Sequence, residues 1–163
     1  MHDLIIRNAR IADGLGNPLI EGDLAVKDGR VVAVGKVTGE ARESVDAGGM
    51  VLAPGVIDLH THYDAQLTWD RTASPAGALG VTTVVVGNCG FGIAPAPPAH
   101  RDAILANLAE VEGMSLASLR AGIDPNYAPF ADYLHLLHRQ GVYPHVAVLA
   151  SHTVFRPCVM VIG

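Results

Sequence analysis

The chain has 163 residues, 50% of them hydrophobic, with a formal net charge of −5. That is apolar material for one sizeable core or two small ones, and the acidic balance argues against nucleic acid or an anionic membrane as partner. The N-terminus has no basic stretch leading into an apolar one, and no run approaches the roughly 20 residues of a membrane span. With only Cys89 and Cys158 there is no disulfide framework, so the cytoplasm is the expected location and a thiol is expected to be free, structural or metal-binding.

Residues 1–53 read as all-β. Short apolar runs at 4–6 and 10–12 precede a turn-rich stretch at 13–18. Runs at 23–26 and 31–34 then flank Asp28 and Gly29, and an Asp-Gly pair between two strands predicts a tight hairpin because both central residues need positive φ. Residues 44–46 and 50–52 add further short strands around Gly48 and Gly49. Nothing here carries catalytic chemistry, and the region reads as a small β module supporting something else.

From residue 54 strands alternate with helical stretches. Residues 53–64 read APGVIDLHTHYD, a short β-branched strand entered through Pro54 and Gly55. Period-two geometry predicts Asp58, His60, His62 and Asp64 on one face and Ile57, Leu59 and Thr61 on the other, in an otherwise buried strand. Two imidazoles at i and i+2 can converge on one cation; the alternative is one core histidine and one loop histidine. Residues 70–79 read as a connection with one helical turn. The run GVTTVVV at 80–86 suits a strand of a parallel sheet covered on both sides, and it ends in GNCGFG at 87–92.

After an Ala- and Pro-rich loop, Ile104, Leu105, Leu108 and Val111 recur at helical spacing. Ser115 is a candidate cap for a short helix through Arg120. A further helix has Pro129 near its first turn, Phe130, Tyr133, Leu134 and Leu137 on one face and Gly141 as its stop, with His135 and His138 at the surface. Residues 145–152 read as a third buried strand, with His145 at its structural end.

Each of the three later strands thus ends in a residue with ligand chemistry: His60 and His62, then Cys89, then His152. In parallel α/β folds the loops after strand C-termini form the active face, and a thiolate with imidazoles is a zinc-type donor set. Cys89 also reads as a small buried hydrophobe, and His152 as a loop residue bonded to backbone. The glycines of 87–92 do not fit a dinucleotide fingerprint. Cys89 as a nucleophile needs one imidazole as base rather than two, which favours a metal.

Residues 53–64 resemble the first-strand motif of the amidohydrolase superfamily, and GVTTVVVGNCG at 80–90 resembles its N-acyl-D-amino-acid deacylase (D-aminoacylase) branch; VEGM at 111–114 and SHTVFR at 151–156 also fit. The resemblance covers essentially the whole chain. It implies a hydrolase acting on carbon-nitrogen bonds other than peptide bonds, with a small-molecule N-acyl amino acid as substrate and one or two Zn2+ ions as cofactor. By similarity His60, His62 and Cys89 are metal-site residues, and Asp64, His152 and Arg156 lie near the pocket.

The fold implied is α/β with a small all-β module: residues 1–53 begin a composite β-sandwich domain and 54–163 begin a (β/α)8 barrel of the metal-dependent hydrolases. Such a barrel takes about 250 residues and eight strands, whereas three candidate strands follow Pro54. The segment 156–163 follows the branch only loosely. The chain is therefore expected to be the N-terminal third of such an enzyme, with later His ligands and the proton-shuttle Asp beyond residue 163 and an unpaired apolar edge on its last strand. Two rivals are a cyclic-amide hydrolase of the dihydroorotase or hydantoinase kind, and a catalytically silent fragment or subunit completed by another chain.

Overall fold

The computed structural model describes residues 1–123 and 127–160; residues 161–163 of the closing segment lie outside it. The chain is mixed α/β and divides into two compact units, Met1–Pro54 and Gly55–Gly163.

The first unit is a five-stranded sheet. Strands β1 (His2–Ile11), β2 (Ile20–Lys27), β3 (Arg30–Gly35) and β4 (Ala41–Asp46) lie in the order β3-β2-β1-β4, and β5 (Val51–Leu52) pairs with the end of β1. The first two apolar runs belong to one strand rather than two. A register shift between Ile6 and Ala9, with Asn8 at φ 55°, absorbs an extra residue without ending the pairing to β2. Asp28 and Gly29, at φ 51° and 70°, make the β2–β3 turn and pair Lys27 with Arg30, as the type I′ geometry requires. Two small apolar clusters hold the unit, one of Ile5, Ala25 and Val37, the other of Ala9, Ile11 and Ala47.

The second unit is a three-stranded parallel sheet, β6 (Val56–Thr61), β7 (Val81–Val86) and β8 (His145–Val148), in that order. Parallel neighbours need crossover connections. Two 3-10 turns (Gln66–Thr68, Gly77–Leu79) link β6 to β7, while α1 (Arg101–Glu112), α2 (Leu116–Gly122) and α3 (Phe130–Gln140) link β7 to β8. A final helix, α4 (His152–Val159), follows β8. The main core packs Val84 and Val86 of β7 against Leu67, Ile93, Ile104, Leu108, Leu119, Tyr133 and Val154.

Local signals place the helix ends. The Ser115 hydroxyl accepts the Ser118 N–H at 3.4 Å, Pro129 precedes α3, and Gly113 and Gly141 end α1 and α3 in the left-handed conformation. Two faces differ from the sequence pattern by one step. Val111 is exposed, and α3 buries Leu136 beside Tyr133 and Leu137 while Leu134 stays in solvent.

Two strands also differ. β7 is central and its Val84 and Val86 are fully buried, but β6 is an edge strand with Val56, Ile57 and Leu59 exposed at 54%, 59% and 65%. β8 stops at Val148, four residues before His152: Leu149 N–H still reaches Val86 O at 2.9 Å, after which Ser151 precedes a helix. Among the described residues no helix is long and apolar enough to cross a membrane.

Candidate metal centre

The centre is built at the C-terminal ends of β6 and β7. His60 is the penultimate residue of β6, and Thr61, the last, is buried with its hydroxyl donating to Val85 O at 2.9 Å. That bond fixes the strand end beside β7 and puts His62 in the first position beyond it. β7 leaves through Gly87, at φ 82°, into a tight turn closed by Gly90 N–H to Gly87 O at 3.1 Å, with Cys89 inside the turn. Asn88 then donates from Nδ2 to Leu59 O at 2.8 Å. The Phe91 N–H donates to Cys89 Sγ at 3.3 Å.

The start of α4 braces the same loop from behind. Ser151 Oγ donates to Phe91 O at 3.0 Å, and Thr153 donates to Gly90 O from both its N–H, at 3.1 Å, and its Oγ1, at 2.7 Å. The packing there leaves no room for a side chain at position 87: a Cβ would sit 2.5 Å from Leu149 O and 2.8 Å from Ser151 Oγ.

One donor atom from each of His60, His62 and Cys89 lies within 4.8 Å of the other two. Cys89 Sγ is 3.8 Å from His62 Nδ1, and the two imidazole centroids are 5.5 Å apart with their planes at 37°. Beside them opens a cleft of about 330 Å³ lined by Asp58, His60, His62, Gln66, Glu112 and Met114 among others. Two neutral imidazoles and a sulfur converging on one point suit a tetrahedral, zinc-type ion. The residues present therefore fit the metal that the sequence motif implies.

Of the four residues expected on one strand face, Asp58, His60 and His62 line the same cleft and Asp64 does not join them. Pairing of β6 shifts register between Asp58 and Thr61 and the strand ends there, so the chain has turned before Asp64. His60 is exposed, whereas Asp64 is buried at 4% exposure and outside the cleft. Its carbonyl accepts the Tyr133 hydroxyl at 2.8 Å. Its Oδ2 is buried without a hydrogen-bond partner, beside a cavity of about 10 Å³ that Gly92, Tyr133 and Ser151 also line. Burial pushes the Asp64 carboxyl up to about 6, reinforced by Glu112 and opposed by the Ala65 N–H and by His62.

His152 and Arg156 stand apart from the cleft. His152 is the exposed first residue of α4, set between the two residues that brace the cysteine loop, and Arg156 is exposed with its Nε 3.5 Å from Met160 Sδ. One neighbour of the centre lies in the VEGM stretch at 111–114 but was given no site role by the sequence reading. Glu112, the last residue of α1, brings Oε1 to 2.5 Å from His62 Nδ1. The available signal was electrostatic: an acid closing a helix sits at the negative end of its dipole, where a cation is favoured.

Comparison with known proteins places this geometry in context. A profile described as "Amidohydrolase family" matches residues 43–143. A D-aminoacylase of Alcaligenes xylosoxydans xylosoxydans is 36% identical over 97% of this chain and 31% of its own length. A crystal structure of D-aminoacylase superposes with a TM-score of 0.79 at 34% identity, covering 98% of this chain and 32% of that one. An N-acyl-D-glutamate deacylase from Bordetella bronchiseptica, solved with zinc and a phosphonate mimic of the tetrahedral intermediate, gives a TM-score of 0.73 at 35% identity over 98% of this chain and 31% of that one. The chain thus spans about a third of the length of the curated relatives it matches.

Proposed function

The chain belongs to the amidohydrolase family, and from that premise we propose that it takes part in metal-dependent hydrolysis of the amide bond of N-acyl-D-amino acids. The observation that carries this reading is the convergence of His60, His62 and Cys89 within 4.8 Å at two adjacent strand ends. Its support in substrate class is the likeness, along nearly the whole chain, to proteins named D-aminoacylase, N-acyl-D-aspartate deacylase and N-acyl-D-glutamate deacylase.

In this reading His60, His62 and Cys89 would hold the metal, zinc, as one or two ions. A zinc ion held there would supply Lewis acidity toward a carbonyl oxygen and would bring the pKa of a water toward about 7. The chain's own residues do the rest of what is assigned here. Asn88 and Thr61 hold the two donor-bearing strand ends together, and the cleft beside them receives the substrate. The proton shuttle and further ligands are assigned to no residue among 1–163.

The same reading makes the sheet of β6, β7 and β8 the first part of a (β/α)8 barrel, beginning at residue 54. It makes residues 1–53 the first part of a β-sandwich domain, and it places the protein in the cytoplasm. The test is zinc content and deacylase activity of the product of the reading frame that encodes this chain, on N-acetyl-D- and N-acetyl-L-amino acids and on a cyclic amide. Expected are zinc-dependent turnover of the D-substrates and loss of zinc and activity in His60→Ala and Cys89→Ala. Undiminished zinc and activity in both variants would sink the assignment.

A further inference from the structure

We propose that Glu112 is a positioning residue for His62, its carboxylate holding the Nδ1 edge of the imidazole so that Nε2 is the nitrogen offered to a metal. The proposal rests on the metal reading of His60, His62 and Cys89 and adds a fourth residue that is not itself a ligand.

Three observations carry it. The carboxylate is the nearer partner of Nδ1, at 2.5 Å against 3.8 Å for Cys89 Sγ. The contacting Oε1 is buried and meets no donor apart from that ring, and the side chain is only 18% exposed. Glu112 also lies outside the group of donor atoms that converge within 4.8 Å, so it touches His62 without being one of the converging donors.

The placement is locally unfavourable, which is what a functional constraint leaves behind. Glu112 is the final residue of α1, no basic residue stands in that last turn, and Gly113 at φ 64° ends the helix directly after it. An acid there opposes the helix dipole. A carboxylate on the second nitrogen of a ligating histidine fixes the ring's tautomer and orientation and raises its basicity as a donor.

The test compares the product of the reading frame that encodes this chain with its Glu112→Ala, Glu112→Gln, His62→Ala and Cys89→Ala variants. Zinc affinity is measured by competition with a chromophoric chelator, and the His62 tautomer by long-range proton–nitrogen NMR without metal. Expected are an Nδ1–H tautomer for His62 in the parent chain, and a loss of zinc affinity of about 10- to 100-fold in Glu112→Ala with the tautomer preference gone. Glu112→Gln, whose amide oxygen still accepts from Nδ1–H, should lose less than Glu112→Ala. Parent-like zinc affinity and tautomer in Glu112→Ala, with affinity lost in His62→Ala and Cys89→Ala, would overturn the role of Glu112 and leave the metal reading standing. Unchanged affinity in His62→Ala and Cys89→Ala would overturn both. Should Glu112→Ala fail to fold, Glu112→Met, of similar length and without an acceptor, decides by the same two measurements.

Discussion

Asn88 donates from its side chain to the carbonyl of Leu59 at 2.8 Å, so the turn that carries Cys89 is tied to the strand that carries His60. The bond spans 29 residues of sequence and acts one residue away from a donor on each side. The start of α4 holds the loop beyond β7 through Ser151 and Thr153, and the amide of Asn88 adds the tie to β6.

Asn88→Ala should therefore loosen the cysteine loop more than it destabilises the fold. The bond is solvent-exposed, so its loss is worth about 0.5–1 kcal/mol in denaturant unfolding. Zinc affinity, measured by chelator competition, should fall about tenfold, because the sulfur is no longer held opposite the imidazoles. A variant with parent-like zinc affinity would show that the loop is fixed by the α4 contacts alone.

Gly87→Ala should be damaging for two separate reasons. The position sits at φ 82°, and a Cβ would lie 2.5 Å from the Leu149 carbonyl, which is backbone and cannot rotate away. A cost of about 2–4 kcal/mol is expected in equilibrium unfolding, from strain plus displacement of the strand end. A change below about 1 kcal/mol would mean that β7 and β8 separate easily at this end.

Asp70 gives the chain an acid-sensitive turn. Its carboxyl is held well below the usual carboxylate range, first by the Thr72 hydroxyl, then by the Gln66 amide and by the N–H groups of Ser74 and Thr72. A folded-state pKa below the unfolded value means that the stabilisation is fully present above about pH 4 and is lost as pH falls through the lower, folded value. Asp70→Ala should cost about 1 kcal/mol at pH 7, solvent screening holding the figure down. The difference in Tm between parent and variant should shrink steadily below pH 4. A difference that does not change with pH would assign the effect to the turn's shape rather than to its charge.

The sequence carried those parts of the fold whose causes are local. Asp28-Gly29 specifies its hairpin because two adjacent residues must accept positive φ, and Gly141 stops α3 for the same kind of reason. His60, His62 and Cys89 were legible because strand-end position is itself a local property. What escaped were pairings set by three-dimensional approach. Glu112 meets His62 across 50 positions of chain, and although VEGM at 111–114 stood out as a stretch, neither it nor an acid at the wrong end of a helix names the contact. Strand extent was also over-read: the apolar run through residue 150 suits a longer β8, but pairing stops at Val148 and Ser151 opens α4. At β6 the alternation was present in the residues, yet for Asp64 to join that face the strand must continue, and it ends at Thr61.

Among the described residues β6 pairs with β7 alone, so within this chain the strand bearing His60 has one edge without a neighbouring strand, with Val56, Ile57 and Leu59 exposed. Such a rim is a template for pairing with another copy. Copies stacked along it would cover the approach to the imidazoles, and the sample would then bind less zinc for a reason unrelated to its ligands. Titrations repeated across a range of protein concentrations separate the two: ligand quality is independent of dilution, whereas occlusion by stacking is relieved by it.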